Sequence, residues 1–201
     1  MIYFTSDEHL NHKNILALAN RPFLSKEEMN ETIINNFNIL VKDTDSCIHL
    51  GDICMGKVDE SLKMVKQLNG SHFLIVGNHD KPFYQPLWTQ KYLEAGFLKV
   101  YSENISLVQV LMDNEIPFPT YDISKIQLSH FPFEDNIILP FDEKYRQYHI
   151  KDFGQYLLHG HQHSKITMKR ERMYDVGVDA NNFKPVKLDD ILINIMNYNN
   201  V

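Results

Sequence analysis

Five short apolar runs punctuate the chain: Ile2 to Thr5, Cys47 to Leu50, His72 to Val76, Ile126 to Leu128 and Tyr156 to Leu158. Runs this short, rich in β-branched, aromatic and leucine side chains, suit strands buried on both faces. Helical spacing separates several of them. From Ser25 to Val41, Met29, Ile33, Phe37 and Leu40 share one face, and Ser25 with Glu28 forms a capping box at the start. Glu60 to Leu68 repeats the pattern with Leu62, Val65 and Leu68, then stops at Asn69-Gly70. Strands alternating with helices predict an α/β layered architecture.

The second half follows a different rhythm. Phe97 to Leu111 predicts two strands joined by a turn near Glu103-Asn104, and Asp113 to Asp122, carrying Pro117 and Pro119, predicts an irregular excursion. Met173 to Val178 fits a strand, while Leu188 to Met196 fits a strand or a helix. No internal repeat or linker divides the sequence, so residues 1–201 are expected to form one domain built as a mixed-sheet sandwich.

Composition narrows the function classes. With 43% hydrophobic and 23% charged residues in 201, the chain can bury a sizeable core. The start, MIYFTSDEH, lacks the basic n-region of a signal peptide, and nothing reaches the ~20 apolar residues of a membrane span. Cys47 and Cys54 make no disulfide framework, and a cytoplasmic location without membrane partners is expected. A net charge of -6 argues against gripping long nucleic acid by bulk electrostatics. It leaves a small phosphorylated substrate open, because bound cations would dominate the local field.

The chemistry-bearing residues collect in one kind of place. Immediately after the five runs come Asp7-Glu8-His9, Gly51-Asp52, Gly77-Asn78-His79-Asp80, Ser129-His130 and His159-Gly160-His161-Gln162-His163. Loops at the carboxyl ends of strands in an open sheet converge on one crevice, so these clusters can meet. In Asp7-x-His9 and His161-x-His163, alternate side chains on extended backbone would face one site, with Glu8 turned away. Singly, Asp-x-His reads first as a capped turn, Gly-Asp as a turn and Gly-Asn-His-Asp as a loop of turn-formers or a site, while His-x-His after a glycine already favours metal; jointly they point to a metal centre. Mixed imidazole, carboxylate and amide ligands suit Mn2+, Fe or Zn2+, and no cysteine cluster has structural-zinc spacing.

In this order, Asp-x-His, Gly-Asp, Gly-Asn-His-Asp, an isolated His and Gly-His-x-His, the motifs resemble those of the calcineurin-like metallophosphoesterase superfamily. They span Asp7 to His163, and the chain is similar to small, compact bacterial or phage-type members. The resemblance implies a four-layer α-β-β-α sandwich with two divalent cations, Mn2+ expected and Fe, Zn2+ or Ni2+ as alternatives. One cation would be held by Asp7, His9, Asp52 and His163, the other by Asp52, Asn78, His130 and His161, with Asp52 bridging. It also implies a metal-bridging hydroxide attacking phosphorus in line, with His79, positioned by Asp80, acting on the leaving oxygen. A phosphodiesterase is the expected activity; a phosphomonoesterase, a nuclease or a non-catalytic metal-binding scaffold are the alternatives. The substrate would be a small-molecule, nucleotide or nucleic-acid phosphoester. One departure is Ile53-Cys54-Met55-Gly56 after the bridging Asp, where many members carry an acidic residue.

Other residues carry two readings. His12 and His159 could each hold substrate phosphate or support a ligand, against a solvated loop for His12 and a buried structural role for His159; Asn11 and Arg21 are substrate-contact candidates, Arg21 reading first as a surface charge. His49, His72, His159 and Cys54 read as buried structural residues. Lys165, Lys169, Arg170 and Arg172 read as a solvated face before a basic rim, and Tyr145, Tyr148 and His149 either line a pocket or belong to an amphipathic element from Phe141 to Phe153. An amide or lactam hydrolase fits less well: a barrel needs ~250 residues, and His161-x-His163 continues into Ser164-Lys165-Ile166, without the acidic residue and histidine of the metallo-β-lactamase pattern.

Overall fold

A computed structural model of the chain describes residues 1–134 and 142–198. Two mixed sheets organise it. The first has strands β1 (Ile2–Thr5), β2 (Ser46–His49), β3 (Ser71–Ile75), β4 (Phe97–Tyr101) and β9 (Val186–Lys187), in the order β4-β3-β2-β1-β9. β1 to β4 run parallel and β9 closes the edge antiparallel to β1. The second has β5 (Ile105–Ser106), β6 (Ile126–Leu128), β7 (Tyr156–His159) and β8 (Met173–Asp175) in sequence order, with only β5 antiparallel.

The sheets share a core. Phe4, Ile48 and Phe73 of the first pack in one buried cluster with Leu128, Leu158 and Tyr174 of the second, joined by Leu107 and Leu111 from the helix Leu107–Asp113 and Ile191 and Ile195 from the helix Leu188–Tyr198. On the outer face of the first sheet, the helix Lys26–Leu40 buries Ile34 and Phe37 against Tyr3 and Cys47. Ser25 caps that helix by accepting from Glu28 N at 3.1 Å, an interaction worth about 1 kcal/mol. The Glu28 carboxylate returns to Leu24 N at 2.8 Å, one residue before the cap.

Several expectations needed revision. The predicted helix from Glu60 is a single α-turn, Val58–Ser61, that tightens into a 3-10 helix, Leu62–Gln67. The two strands predicted between Phe97 and Leu111 are not a hairpin: β4 and β5 lie in different sheets, and β5 ends after two residues where Ser106 caps the following helix through Gln109 N. Leu188–Tyr198 resolves as a helix because its apolar residues recur at 188, 191 and 195 toward the core. Phe141, at the edge of the predicted amphipathic element, lies outside the described residues, and the described part holds a short 3-10 helix, Glu143–Tyr148. Among the described residues no helix is long and apolar enough to cross a membrane. Both cysteines are free and buried.

Candidate metal centre

Asp7, His9, Asp52, Asn78, His130, His161 and His163 all leave the carboxyl ends of β1, β2, β3, β6 and β7. Among the described residues Asp142, His149 and His161 have donor atoms within 4.8 Å of one another, and so do two sets drawn from these seven: Asp7, His9 and His163, and Asp7, Asp52 and His130. The Asp52 carboxylate stands between them, 3.6 Å from His9 Nε2 and 3.5 Å from His130 Nε2. Asn78 Oδ1 is 3.0 Å from His130 Nε2, and His161 Nδ1 is 3.2 Å from that same nitrogen. All seven sequence-predicted ligands are therefore neighbours.

The backbone brings this about in a way that extended strands cannot. Asp7, His9, Asp52, His161 and His163 all have positive φ, between 46° and 71°, a region uncommon for non-glycine residues. Concentration of such residues at one point marks a site whose geometry the surroundings enforce. The expectation that alternate residues meet on extended backbone is thus corrected: β1 ends at Thr5, and left-handed turns aim the side chains. Gly160 is required by close approach, since a Cβ there would collide with Ser6 Oγ and Asp7 Oδ2.

Each of three histidines has one ring nitrogen tied to a fixed acceptor, which leaves the other for the centre. His130 Nδ1 faces Leu50 O at 2.7 Å, His163 Nδ1 faces Asp179 at 2.9 Å, and His161 Nε2 faces Asp142 at 2.7 Å. A carboxylate or carbonyl behind the ring is the arrangement that orients a metal-ligating imidazole and sets its tautomer. Asn78 is oriented likewise: its Nδ2 donates to Tyr145 Oη at 3.3 Å, turning Oδ1 inward.

The donor set fits cations. Asp7 Oδ1 and His9 Nε2 are buried without a hydrogen-bond partner, a cost that a coordinated ion removes. Burial pushes the Asp7 and Asp52 carboxyls above the usual range; Asp52 is raised further by the nearby charges of Asp80 and Asp7. Burial and the neighbouring imidazoles hold His9 and His130 well below the ordinary value. Neutral imidazoles facing crowded carboxylates are what divalent cations require.

His79 and Asp80 do not stand as expected. The Asp80 carboxylate accepts from the backbone N–H of Gly77, Asp52 and Ile53 at 2.8 to 3.2 Å, so it clamps two ligand-bearing loops together and makes no hydrogen bond to the His79 ring. Burial, followed by the positive fields of His12, His161 and His163, pushes His79 down to about 4, which favours the neutral imidazole. Its ring is 42% exposed, with Nε2 4.0 Å from Asp52.

Three supporting residues escaped the sequence reading. Arg21 is a buried cation, not a surface charge: it donates to both Asp179 oxygens at 3.1 and 2.7 Å and to the carbonyls of Asp7 and Glu8. Asp179 also takes Lys165 at 3.0 Å; despite burial, which acts in the opposite sense, the hydrogen bonds and charges of His163 and Arg21 hold its carboxyl far below the usual range. Asp142, the third, also lies 3.3 Å from His149. No spacing rule singles out any of them, although Asp179 closes the Val176-Gly177-Val178-Asp179 segment. The remaining candidates divide. His12 sits 3.3 Å from His9; Asn11 is engaged by Asn30, Ser61 and Lys26; Arg170 and Arg172 pair with Asp152. His49, His72, His159 and Cys54 are buried as read, and Glu8 turns from the centre to His49 Nδ1 at 2.7 Å.

Fold and site together define a mixed α/β protein with two sheets and buried His/Asp clusters able to hold metal ions. The chain belongs to the family of the uncharacterized protein MJ1445 of Methanocaldococcus jannaschii, with 31% identity over 200 residues, 95% of this chain and 89% of that protein. It is also similar to the Gene 66 proteins of Mycobacterium phages L5 and D29, 29% and 28% identical over 188 and 186 residues, 89% of this chain in each case and 86% and 88% of those proteins. A protein of unknown function from Aquifex aeolicus, AQ665, shares the fold in its crystal structure, with a TM-score of 0.64, 24% identity, and coverage of 95% of this chain and 97% of that one. No family model matches the chain.

Proposed function

We propose that the chain is a metal-dependent phosphoester hydrolase of the calcineurin-like metallophosphoesterase type, with phosphodiesters as substrates and a four-layer α-β-β-α sandwich as scaffold. The observation that carries this reading is the convergence of seven donor residues from five strand ends, with orphaned lone pairs on Asp7 and His9. One divalent cation would be held by Asp7, His9, Asp52 and His163, the other by Asp52, Asn78, His130 and His161. Cations there would supply Lewis acidity toward phosphoryl oxygens and make water a competent nucleophile at neutral pH.

The chain's own residues do the rest. Asp52, between the two histidine groups, would serve both cation positions. Asp142, Asp179 and the Leu50 carbonyl hold the imidazoles against rotation, so little reorganisation is needed when substrate arrives. His79 is the exposed ring beside Asp52, free to reach a bound ester. An anionic phosphoester next to its ring raises its proton affinity, which lets it protonate or hydrogen-bond the leaving oxygen. That access favours phosphodiesters, whose second ester group needs room.

The test uses Mn2+-loaded protein against bis-p-nitrophenyl phosphate and p-nitrophenyl phosphate, with metal content measured in parallel. The diester is hydrolysed faster than the monoester. His79→Ala lowers kcat by roughly 10²–10⁴-fold, the range of general acid–base catalysis, with metal content unchanged. Metal-replete protein that hydrolyses neither ester refutes the reading, and full turnover by His79→Ala refutes the role of that residue.

A further inference from the structure

A pocket of about 360 Å3 lies against the back of the candidate centre, where the 102–104 turn after β4 faces residues 129–131 and 147–149. His130 and Phe131 belong to its wall, and the Phe131 ring is 4.9 Å from that of His161. We propose that this pocket receives the nucleobase of a nucleoside phosphoester; the proposal rests on the phosphoesterase reading above and names the substrate class.

Three features select a base over other groups. First, flat rings line the space: Tyr148 stacks on Phe131 at 5.5 Å with a 21° tilt, and Phe83 meets Tyr148 edge-on at 4.8 Å. Tyr148 remains 42% exposed, and an aromatic face of this kind is where bases stack. Second, hydrogen-bonding capacity is unspent. The side chains of Asn104, Gln147 and Glu103 make no hydrogen bond to other described residues, and His149 Nδ1 is buried without a partner although the side chain is only 3% exposed. Primary amides offer a donor and an acceptor together, the pattern that base edges present in complement. Third, no lysine or arginine lines the pocket and Glu103 does, which disfavours a phosphate or carboxylate. A purely apolar group would leave the amides and His149 unpaired. The volume falls within the ~300–1,000 Å3 of small-ligand sites.

The experiment compares adenosine and thymidine 5′-(p-nitrophenyl phosphate) with methyl p-nitrophenyl phosphate, which shares their leaving group and lacks a base. Wild-type Mn2+-loaded protein has a lower KM for at least one nucleoside ester. Asn104→Ala and Gln147→Ala each raise that KM about tenfold, the effect of one lost hydrogen bond, and leave both constants for the methyl ester unchanged. Equal treatment of nucleoside and methyl esters by wild type overturns the base pocket while leaving the phosphoesterase standing; no turnover of any ester sinks the phosphoesterase instead. Calorimetry with adenosine and thymidine on the metal-free protein decides the pocket independently of turnover. Binding that is lost when Asn104→Ala and Gln147→Ala are combined sustains it, and binding absent from wild type or unchanged in that combination overturns it. Where binding is found, a trinucleotide that binds more tightly than the mononucleotide assigns the base to a single strand, and equal affinity assigns it to a free nucleotide.

Discussion

Asp179→Asn tests whether the support behind the centre matters as much as the ligands. The wild-type carboxylate neutralises Arg21, whose side chain has no solvent exposure, and also accepts from His163 Nδ1. Removing the charge leaves a guanidinium buried among the carbonyls of Asp7 and Glu8 and the Met29 sulfur. Breaking a buried pair from one side costs about 3–5 kcal/mol; the retained carbonyl contacts place this case near the lower end, roughly a 100-fold loss in the folding equilibrium. A second effect is separate. His163 loses its anionic acceptor, and loss of such a partner weakens metal binding by roughly 10–100-fold. Urea unfolding in EDTA reads the first effect and Mn2+ titration by calorimetry reads the second.

The two effects part in the double variant Arg21→Met/Asp179→Asn, which has no stranded cation: stability returns by a kcal/mol or more on this argument, whereas Mn2+ affinity stays low. The pH dependence has a definite sign. The Asp179 carboxyl is depressed in the folded chain, so the unfolded chain takes up its proton first. Its contribution is fully present above the ordinary carboxylate pKa of ~3.9 and is lost as pH falls below it, so wild type and Asp179→Asn converge in acid. A variant within about 0.5 kcal/mol of wild type at pH 7, with unchanged Mn2+ affinity, would refute the reasoning, since that is the scatter of ordinary surface substitutions.

Other perturbations probe other links. Asp142→Ala frees the His161 ring and weakens one of two Mn2+ equivalents roughly 10–100-fold, leaving the equivalent at His163 intact; a stoichiometric titration separates the two. Gly160→Ala drives a Cβ into Ser6 and Asp7, and is expected to lower bound metal measured by mass spectrometry more than it lowers secondary structure measured by circular dichroism. His72, buried between His49 and the Leu68 carbonyl, is pushed down to about 4, so acid protonates it first in the unfolded chain. The stability cost of His72→Phe therefore shrinks by roughly 1.4 kcal/mol per unit as pH falls from about 6.5 to 4, as read by unfolding in EDTA.

What could be read from the sequence, and what could not, follows from the range of each interaction. The strand cores Ile2–Thr5 and Ile126–Leu128 were visible because a buried strand must be apolar along its own length. The donor residues were visible because each sits where its strand runs out, and metal chemistry restricts the residue types. Arg21 and Asp179 were invisible for the opposite reason: 158 positions separate them, and nothing near either residue shows that the other will bury it. Proximity in sequence misleads at Asp80, which is adjacent to His79 but serves the Gly51-Asp52 loop of the neighbouring strand β2.

The Asp-x-His motif shows that a correct meeting can be inferred through the wrong conformation. Extended backbone would bring Asp7 and His9 to one side, and so does the left-handed backbone they adopt, but only the second is costly without outside support. That support is identifiable: Asp7 N and His9 N donate to the carbonyls of Gly51 and Asp52, while Arg21 binds the carbonyls of Asp7 and Glu8. The ligand loops of β1 and β2 thus hold each other's backbone in place before any cation arrives. Weakening Arg21 loosens the Asp7 turn, so Arg21→Lys, which keeps the charge but cannot span Asp179 and two carbonyls at once, is expected to lose metal affinity while retaining the fold.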